Sequence, residues 1–139
     1  MSDITTISAS NVVPNATTAV IARGTAGAAI TAGQIVYQDA NGKIQLAAQT
    51  TSTTAHVVGI AVNSAASGAP VDYVTQGDVA LGTVFTKGNV LVLGAGAGLM
   101  SASADLDGAP VNTRYANVVG VASSANNLRV GIVNTDVQK

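Results

Sequence analysis

The chain has 139 residues, enough for one domain that buries about two-thirds of its unfolded surface without a disulfide or metal staple. It contains no cysteine, which excludes a disulfide scaffold, thiol catalysis and thiolate-bound zinc. Only 9% of its residues are charged, six of them basic and seven of them Asp, so a basic stripe for nucleic acid is excluded, and no apolar run approaches the roughly 20 residues of a membrane helix.

An apolar fraction of 47% with so few charges implies surfaces that are meant to be covered, as in an oligomer or a component of a larger assembly. In chain order, residues 1–26 are rich in Ser, Thr and Asn and carry Pro14, a composition that fits an extended N-terminal arm better than a helix. The start has neither the basic residues nor the apolar core of a secretory signal, so export by that route is not expected. The arm is expected to add to a neighbour's sheet edge, where backbone hydrogen bonds supply affinity, with Ile4, Ile7, Val12 and Val13 as its apolar anchors.

From residue 27 the β signals become regular, and residues 27–139 read as a single β-domain. A strand over 34–38 leads into the hairpin turn Asp39-Ala40-Asn41-Gly42 and a strand over 43–46, where Ile44 and Leu46 share a face by two-residue alternation. A polar loop over 49–55 precedes an apolar strand over 56–62, expected to be buried on both sides. The turn Ser67-Gly68-Ala69-Pro70 opens a strand over 71–75, and Gln76-Gly77-Asp78 is expected to interrupt it before Val79-Ala80-Leu81. Further strands are expected over 90–93, 99–102, 117–122 and 128–133. Helix evidence is poor throughout, because glycine recurs and charged helix formers are few, although 63–67 could hold one turn.

Landmarks recur along this domain. Thr31-Ala32-Gly33-Gln34-Ile35-Val36 returns as Thr86-Lys87-Gly88-Asn89-Val90-Leu91, and His56-Val57-Val58-Gly59-Ile60-Ala61 as Asn117-Val118-Val119-Gly120-Val121-Ala122. Between them, Asn41-Gly42-Lys43-Ile44 matches Ala97-Gly98-Leu99-Met100; after them, Val71-Asp72-Tyr73-Val74 matches Val130-Gly131-Ile132-Val133. Four landmarks in one order point to internal repeats at about 27–82 and 83–139. The fold expected is all-β, a small barrel or sandwich built from two similar β-modules.

No chemistry-bearing constellation stands up beside this reading. The apolar run Val90-Leu91-Val92-Leu93 enters Gly94-Ala95-Gly96-Ala97-Gly98 as dinucleotide-binding strands do, but nothing after it opens a helix, and its matched position is a hairpin turn. His56 is the single histidine and is matched by Asn117, which favours a strand-end hydrogen bond over catalysis. Asp105 and Asp107 lack the further oxygens a calcium site needs. Asn15-Ala16-Thr17 is an incidental sequon, and the rings of Tyr37, Tyr73, Phe85 and Tyr115 are too scattered for a stacking platform. No catalytic residue, metal or cofactor is expected.

Four segments carry a resemblance: Ala32-Gly33-Gln34-Ile35-Val36-Tyr37, Val57-Val58-Gly59-Ile60-Ala61, Ser67-Gly68-Ala69-Pro70-Val71 and Gln76-Gly77-Asp78-Val79-Ala80-Leu81. In these the sequence resembles the small capsid cement or decoration proteins of tailed bacteriophages. The second half departs from the pattern, lacking a Gly-Ala-Pro-Val turn. The resemblance implies a non-enzymatic virion protein on the capsid exterior, bound to the major capsid protein at symmetry axes, often as a homotrimer; from the charge count and the short apolar runs, no nucleic-acid or membrane partner is expected. The alternative is a β-rich module of a phage tail, fibre or baseplate. An enzyme or sugar-binding module would show clustered aromatics or paired carboxylates.

Overall fold

The computed structural model describes residues 3–94, 96–102 and 115–138. Among these there is no α-helix, only a 3-10 turn at Ala9–Asn11. The strands are β1 Asp3–Ile4, β2 Val13–Pro14, β3 Val20–Ala26, β4 Ile35–Gln38, β5 Lys43–Leu46, β6 Gly59–Ala61, β7 Pro70–Ala80, β8 Val90–Leu93, β9 Met100–Ala102, β10 Tyr115–Ala122 and β11 Asn127–Gln138. They form one mixed sheet in the order β1-β9-β8-β10-β11-β7-β3-β5-β4-β6, with β2 added on β7. A further pairing of β6 with β7 returns the path β7-β3-β5-β4-β6 to its start, so part of the sheet closes into a ring.

Local chemistry explains the hairpin from β4 to β5. The Asp39 carboxylate accepts from the backbone N–H groups of Asn41 and Lys43, both at 2.9 Å, while Gly42 takes the left-handed φ of 78° that the turn needs. β7 departs from the expected interruption at 76–78, since it runs unbroken through Gly77. Gly77 has φ 96°, and a Cβ there would strike the Thr18 backbone, so this glycine lets β7 continue past the neighbouring loop. Pairing on both flanks holds the strand: β2 and β3 lie on one side, β11 and β6 on the other. Residues 20–26, which composition places in the arm, form β3 and pair with β7 from Val20 to Thr25.

Pairing around β4 has the same form as pairing around β8. β4 pairs β5 and β6, and β6 pairs β7; β8 pairs β9 and β10, and β10 pairs β11, all antiparallel. Val36 lies opposite Gly59 as Leu91 lies opposite Gly120, and Ile35 opposite Ile60 as Val90 opposite Val121. The turns leading in also agree. Gly33 donates to the Ala61 carbonyl at 2.7 Å and Gly88 to the Ala122 carbonyl at 2.8 Å, with φ 96° and 90°.

Two apolar clusters result. A smaller one holds Ala26, Val36, Ile44, Ala61 and Val71 from the ring strands, together with Ile30 and Ala65. Side chains alternate across a strand, so Ile35 and Ile60, next to Val36 and Ala61, face the other way, into a larger core with Val74, Leu91, Leu93, Met100, Val119 and Leu128. This larger core joins the ring to the β8–β11 region.

Candidate functional site

The four arm residues occupy different environments. Ile4 pairs with Met100 in the β1–β9 ladder and is half-buried. Ile7 packs on the larger core beside Gly33, where any Cβ would meet the Ile7 side chain at 2.6 Å. Val12 is buried in that core at 8% exposure, whereas Val13, one residue on, is 58% exposed. A cavity of about 200 Å³ lies along this junction, between Ile4, Ile7 and the turns at Gly33 and Gly98.

The glycine-rich turn after β8 does a job that its sequence does not advertise. Asp3 enters it, and the Gly96 N–H donates to the Asp3 carboxylate at 2.7 Å. A Cβ on Gly94 would meet the same carboxylate, so the bare glycine leaves room for the acid to sit close to the backbone. The chain then turns into β9, not into a helix.

His56 is exposed and borders a shallow surface groove with Gln38, Ser52 and Thr53. Its sequence counterpart Asn117 is buried: its carboxamide donates to the Ala55 carbonyl and accepts from the Thr135 N–H at 2.9 Å. Asn134 acts alongside it, accepting from the Val57 N–H at 2.9 Å and donating to the Val57 carbonyl at 3.0 Å. These two asparagines attach residues 55–57 to the β10–β11 ribbon, which satisfies buried backbone groups that no strand partner takes. Asp105 and Asp107 lie outside the described residues. Among the described residues, no group of three or more His, Cys, Asp or Glu is placed to hold a metal ion. Among the described residues, no helix is long and apolar enough to cross a membrane.

Among the described residues, exposed apolar side chains gather on the outward face of the sheet where β2, β3, β7, β11 and β10 lie side by side. Directly opposite residues in antiparallel strands share a face, so the register rows locate it. Val13 lies opposite Ala80, Val20 opposite Gln76, Val121 opposite Arg129 and Val133 opposite Val118. Gln76, Asp78 and Ala80 then alternate with Gly77 and the buried Val79 along β7. These rows put on one face three of the five exposed large apolar side chains among the described residues, Val13, Val20 and Val121, while Val133 lies past the register shift between Val118 and Gly120. The fifth, Ile21, lies across a register shift, opposite the buried Val74.

A polar group separates the two apolar flanks. Asn127 donates to Asp78 at 3.1 Å, Thr18 donates to it at 3.1 Å, and Arg129 reaches it at 3.4 Å. The Asn127 hydrogen bond does most to hold the Asp78 carboxyl below its ordinary range, with Thr18 and Arg129 adding to it and partial burial opposing. Sequence reasoning did not find this face, although the outward alternation of Arg129, Gly131 and Val133 along one strand is a signal of it.

Residues 3–76 match the family model of the phage cement proteins, a stretch that spans β1 to most of β7 and includes every strand of the ring. No curated protein matches the chain.

Proposed function

The chain belongs to the phage cement protein family, so it is a non-enzymatic structural protein of the virion capsid that stabilises the shell, and from that premise we propose how it is built and how it binds. It attaches to the exterior of the capsid, against the major capsid protein, as a homotrimer. The match over residues 3–76 carries the capsid attachment in this reading. The low charge and the outward apolar face support it, because such a surface is meant to be covered.

Two similar β-modules compose the protein. The shared pairing order, the matched rows through Ile35–Ile60 and Val90–Val121, and the matched lead-in turns at Gly33 and Gly88 support this. The N-terminal segment is the arm of the design, with its four apolar residues in two roles. Ile4, Ile7 and Val12 hold it against the body, and Val13 faces outward to the capsid.

The test is co-sedimentation of the purified protein with cognate empty capsids, joined to a measurement of the temperature at which decorated and bare capsids rupture. Binding with a raised rupture temperature is expected; no binding to mature capsids would overturn the reading. Light scattering of the free protein and mass measurement of the bound species report the trimer separately.

A further inference from the structure

We propose that residues 3–7 of each copy, β1 with Ile7 behind it, seat against the β9 edge of the neighbouring copy in the homotrimer, so that a contact made within one chain is exchanged between chains. The proposal rests on the homotrimer reading above and names the segment that joins the copies. Complementarity is the first observation. Asp3 and Ile4 pair with Ser101 and Met100, the Gly96 N–H donates to the Asp3 carboxylate, and Ile7 lies against Gly33, where a Cβ would meet it. The occupant that fits this seat is thus a segment of this same sequence, held by backbone pairing, one carboxylate and one aliphatic side chain.

The second observation is how loosely that segment is tied to its own body. Residues 8–11 are all exposed, and Ala9–Asn11 form a 3-10 turn without a side-chain cap at Ser8. The Asn11 N–H donates to the Ser8 carbonyl at 2.9 Å and the Val12 N–H to the Ala9 carbonyl at 3.3 Å. Val12 is buried in the larger core, and Val13 and Pro14 pair with β7, so the hinge is confined to residues 8–11. Opening the turn lengthens the chain from about 2.0 to about 3.3 Å per residue and exchanges two backbone bonds for water. The seat makes the same contacts in either arrangement, so exchange costs little beyond the hinge. A cavity of about 200 Å³ also remains between Ile4, Ile7 and the turns at Gly33 and Gly98 while the segment must turn back at residue 8. A segment arriving from a neighbour is free of that return and can settle into the space, gaining contacts.

Exchange of this kind suits a trimer. The segment and its seat are two different patches on one subunit, so each copy gives one and receives one, a heterologous contact that closes when three copies complete the turn. The ring is built otherwise: its β5 edge takes β3, a seven-residue strand paired with β7 from Val20 to Thr25, which cannot leave without unfolding the ring. Seating within one chain has the advantage of an effective concentration of about millimolar, so exchange prevails where copies are already held side by side, as in the assembled trimer.

The chain has no cysteine, so introduced disulfides report the arrangement without background from native thiols. Ile4→Cys with Met100→Cys places two thiols at directly opposed positions of an antiparallel pair, within reach of a bond. After oxidation and denaturing electrophoresis without reductant, this double variant is expected to run as a covalent trimer, whereas seating within the chain would leave closed monomers. Either single variant can go no further than a dimer. The two single variants refolded together are expected to give at least about tenfold more covalent dimer than either alone, because the seat holds the thiols at a high effective concentration. Thermal unfolding of every variant reports folding, and Asp3→Cys with Ser101→Cys, the adjacent opposed pair, replaces the first pair if Met100→Cys does not fold. Closed monomers from a species whose native mass by light scattering is that of a trimer would overturn the proposal. A native mass of one chain would instead remove the homotrimer reading on which the proposal rests.

Discussion

The two regions on either side of β7 share a pairing order and differ in how their edges end. In the first, the β5 edge receives β3 in parallel, Thr25 opposite Lys43 and Ala26 opposite Ile44, and the ring closes. In the second, the β9 edge receives β1 antiparallel, Ile4 opposite Met100, and the path ends there. The consequence is read in the cores. Val36, Ile44 and Ala61 form a cluster inside the ring, while Leu91, Met100 and Ala122, in the corresponding places, merge into the larger core. A closed edge gives a region its own interior; an edge capped by two residues leaves it dependent on its neighbour.

Truncating the matched pair Ile44 and Met100 tests that contrast with the largest expected effect. Both are essentially fully buried, and both stand opposite the last residue of their partner hairpin strand, Gln38 and Leu93. Ile44→Ala is expected to cost about 3–5 kcal/mol, because a ring relaxes poorly around a cavity, and Met100→Ala about 2–3 kcal/mol, because the β9 edge can settle inward. Equilibrium urea unfolding measures both. A larger loss for Met100→Ala would break the contrast.

Gly59 and Gly120 sharpen it from the opposite direction, since here the two regions should behave alike. A Cβ on Gly59 would come within 2.5 Å of the Val74 carbonyl oxygen, and one on Gly120 would strike the Arg129 carbonyl oxygen, the backbone at the matched place. Backbone in a paired strand cannot move aside cheaply, so Gly59→Ala and Gly120→Ala are each expected to destabilise by about 1–3 kcal/mol. Tolerance at one and not the other, in the same urea series, would show that the two strand pairings only look alike.

Much of this was legible before the structure, and the exceptions have physical causes. The strands at 43–46 and 90–93 fall where alternation and apolar run place them, and the Asn41-Gly42 turn forms as its residues dictate. Gly77 reads as a break because glycine usually is one; two flanks of hydrogen bonds carry β7 through it. The last sequence landmark is out of step. Pairing sets Tyr73 opposite Ala61 and Leu128 opposite Ala122, so Tyr73 corresponds to Leu128, not to Ile132. β-branched residues are too common here to fix a register by composition alone. The Asp3 seat in the glycine turn joins residues 93 positions apart and has no local signature.

Asn117 and His56 are matched in sequence and unlike in place, which predicts unequal effects. Asn117→Ala leaves the Ala55 carbonyl and the Thr135 N–H without their side-chain partner in a buried site, and should cost about 1–3 kcal/mol. His56→Ala removes an exposed ring and should fall within about 0.5 kcal/mol of the unsubstituted protein. Thermal unfolding distinguishes them, and equal losses would mean that His56 carries a structural bond.

The smallest effects are expected at two ion pairs among the described residues, and their order follows from what each carboxylate holds. Arg23 and Asp72 meet at 2.6 Å and tie β3 to β7 within the ring, whereas Arg129 and Asp78 tie β11 to β7 between the two regions. Both arginines are 70% exposed, and exposed pairs are screened by water and salt, so Arg23→Ala and Arg129→Ala should leave neutral-pH stability nearly unchanged. Acid is the better probe. Both carboxyls are held below their ordinary range, Asp72 chiefly by the Arg23 hydrogen bond and Asp78 chiefly by that of Asn127. A depressed folded-state value means stability that is present above the unfolded carboxylate pKa of about 4 and is lost as pH falls through the lower, folded value. Asp72 has one side-chain partner contributing to this and Asp78 has three, so Asp78→Asn should flatten the acid limb of a stability–pH curve more than Asp72→Asn. If Asp72→Asn flattens it more, the ring's own pair, and not the link between the regions, governs the acid response.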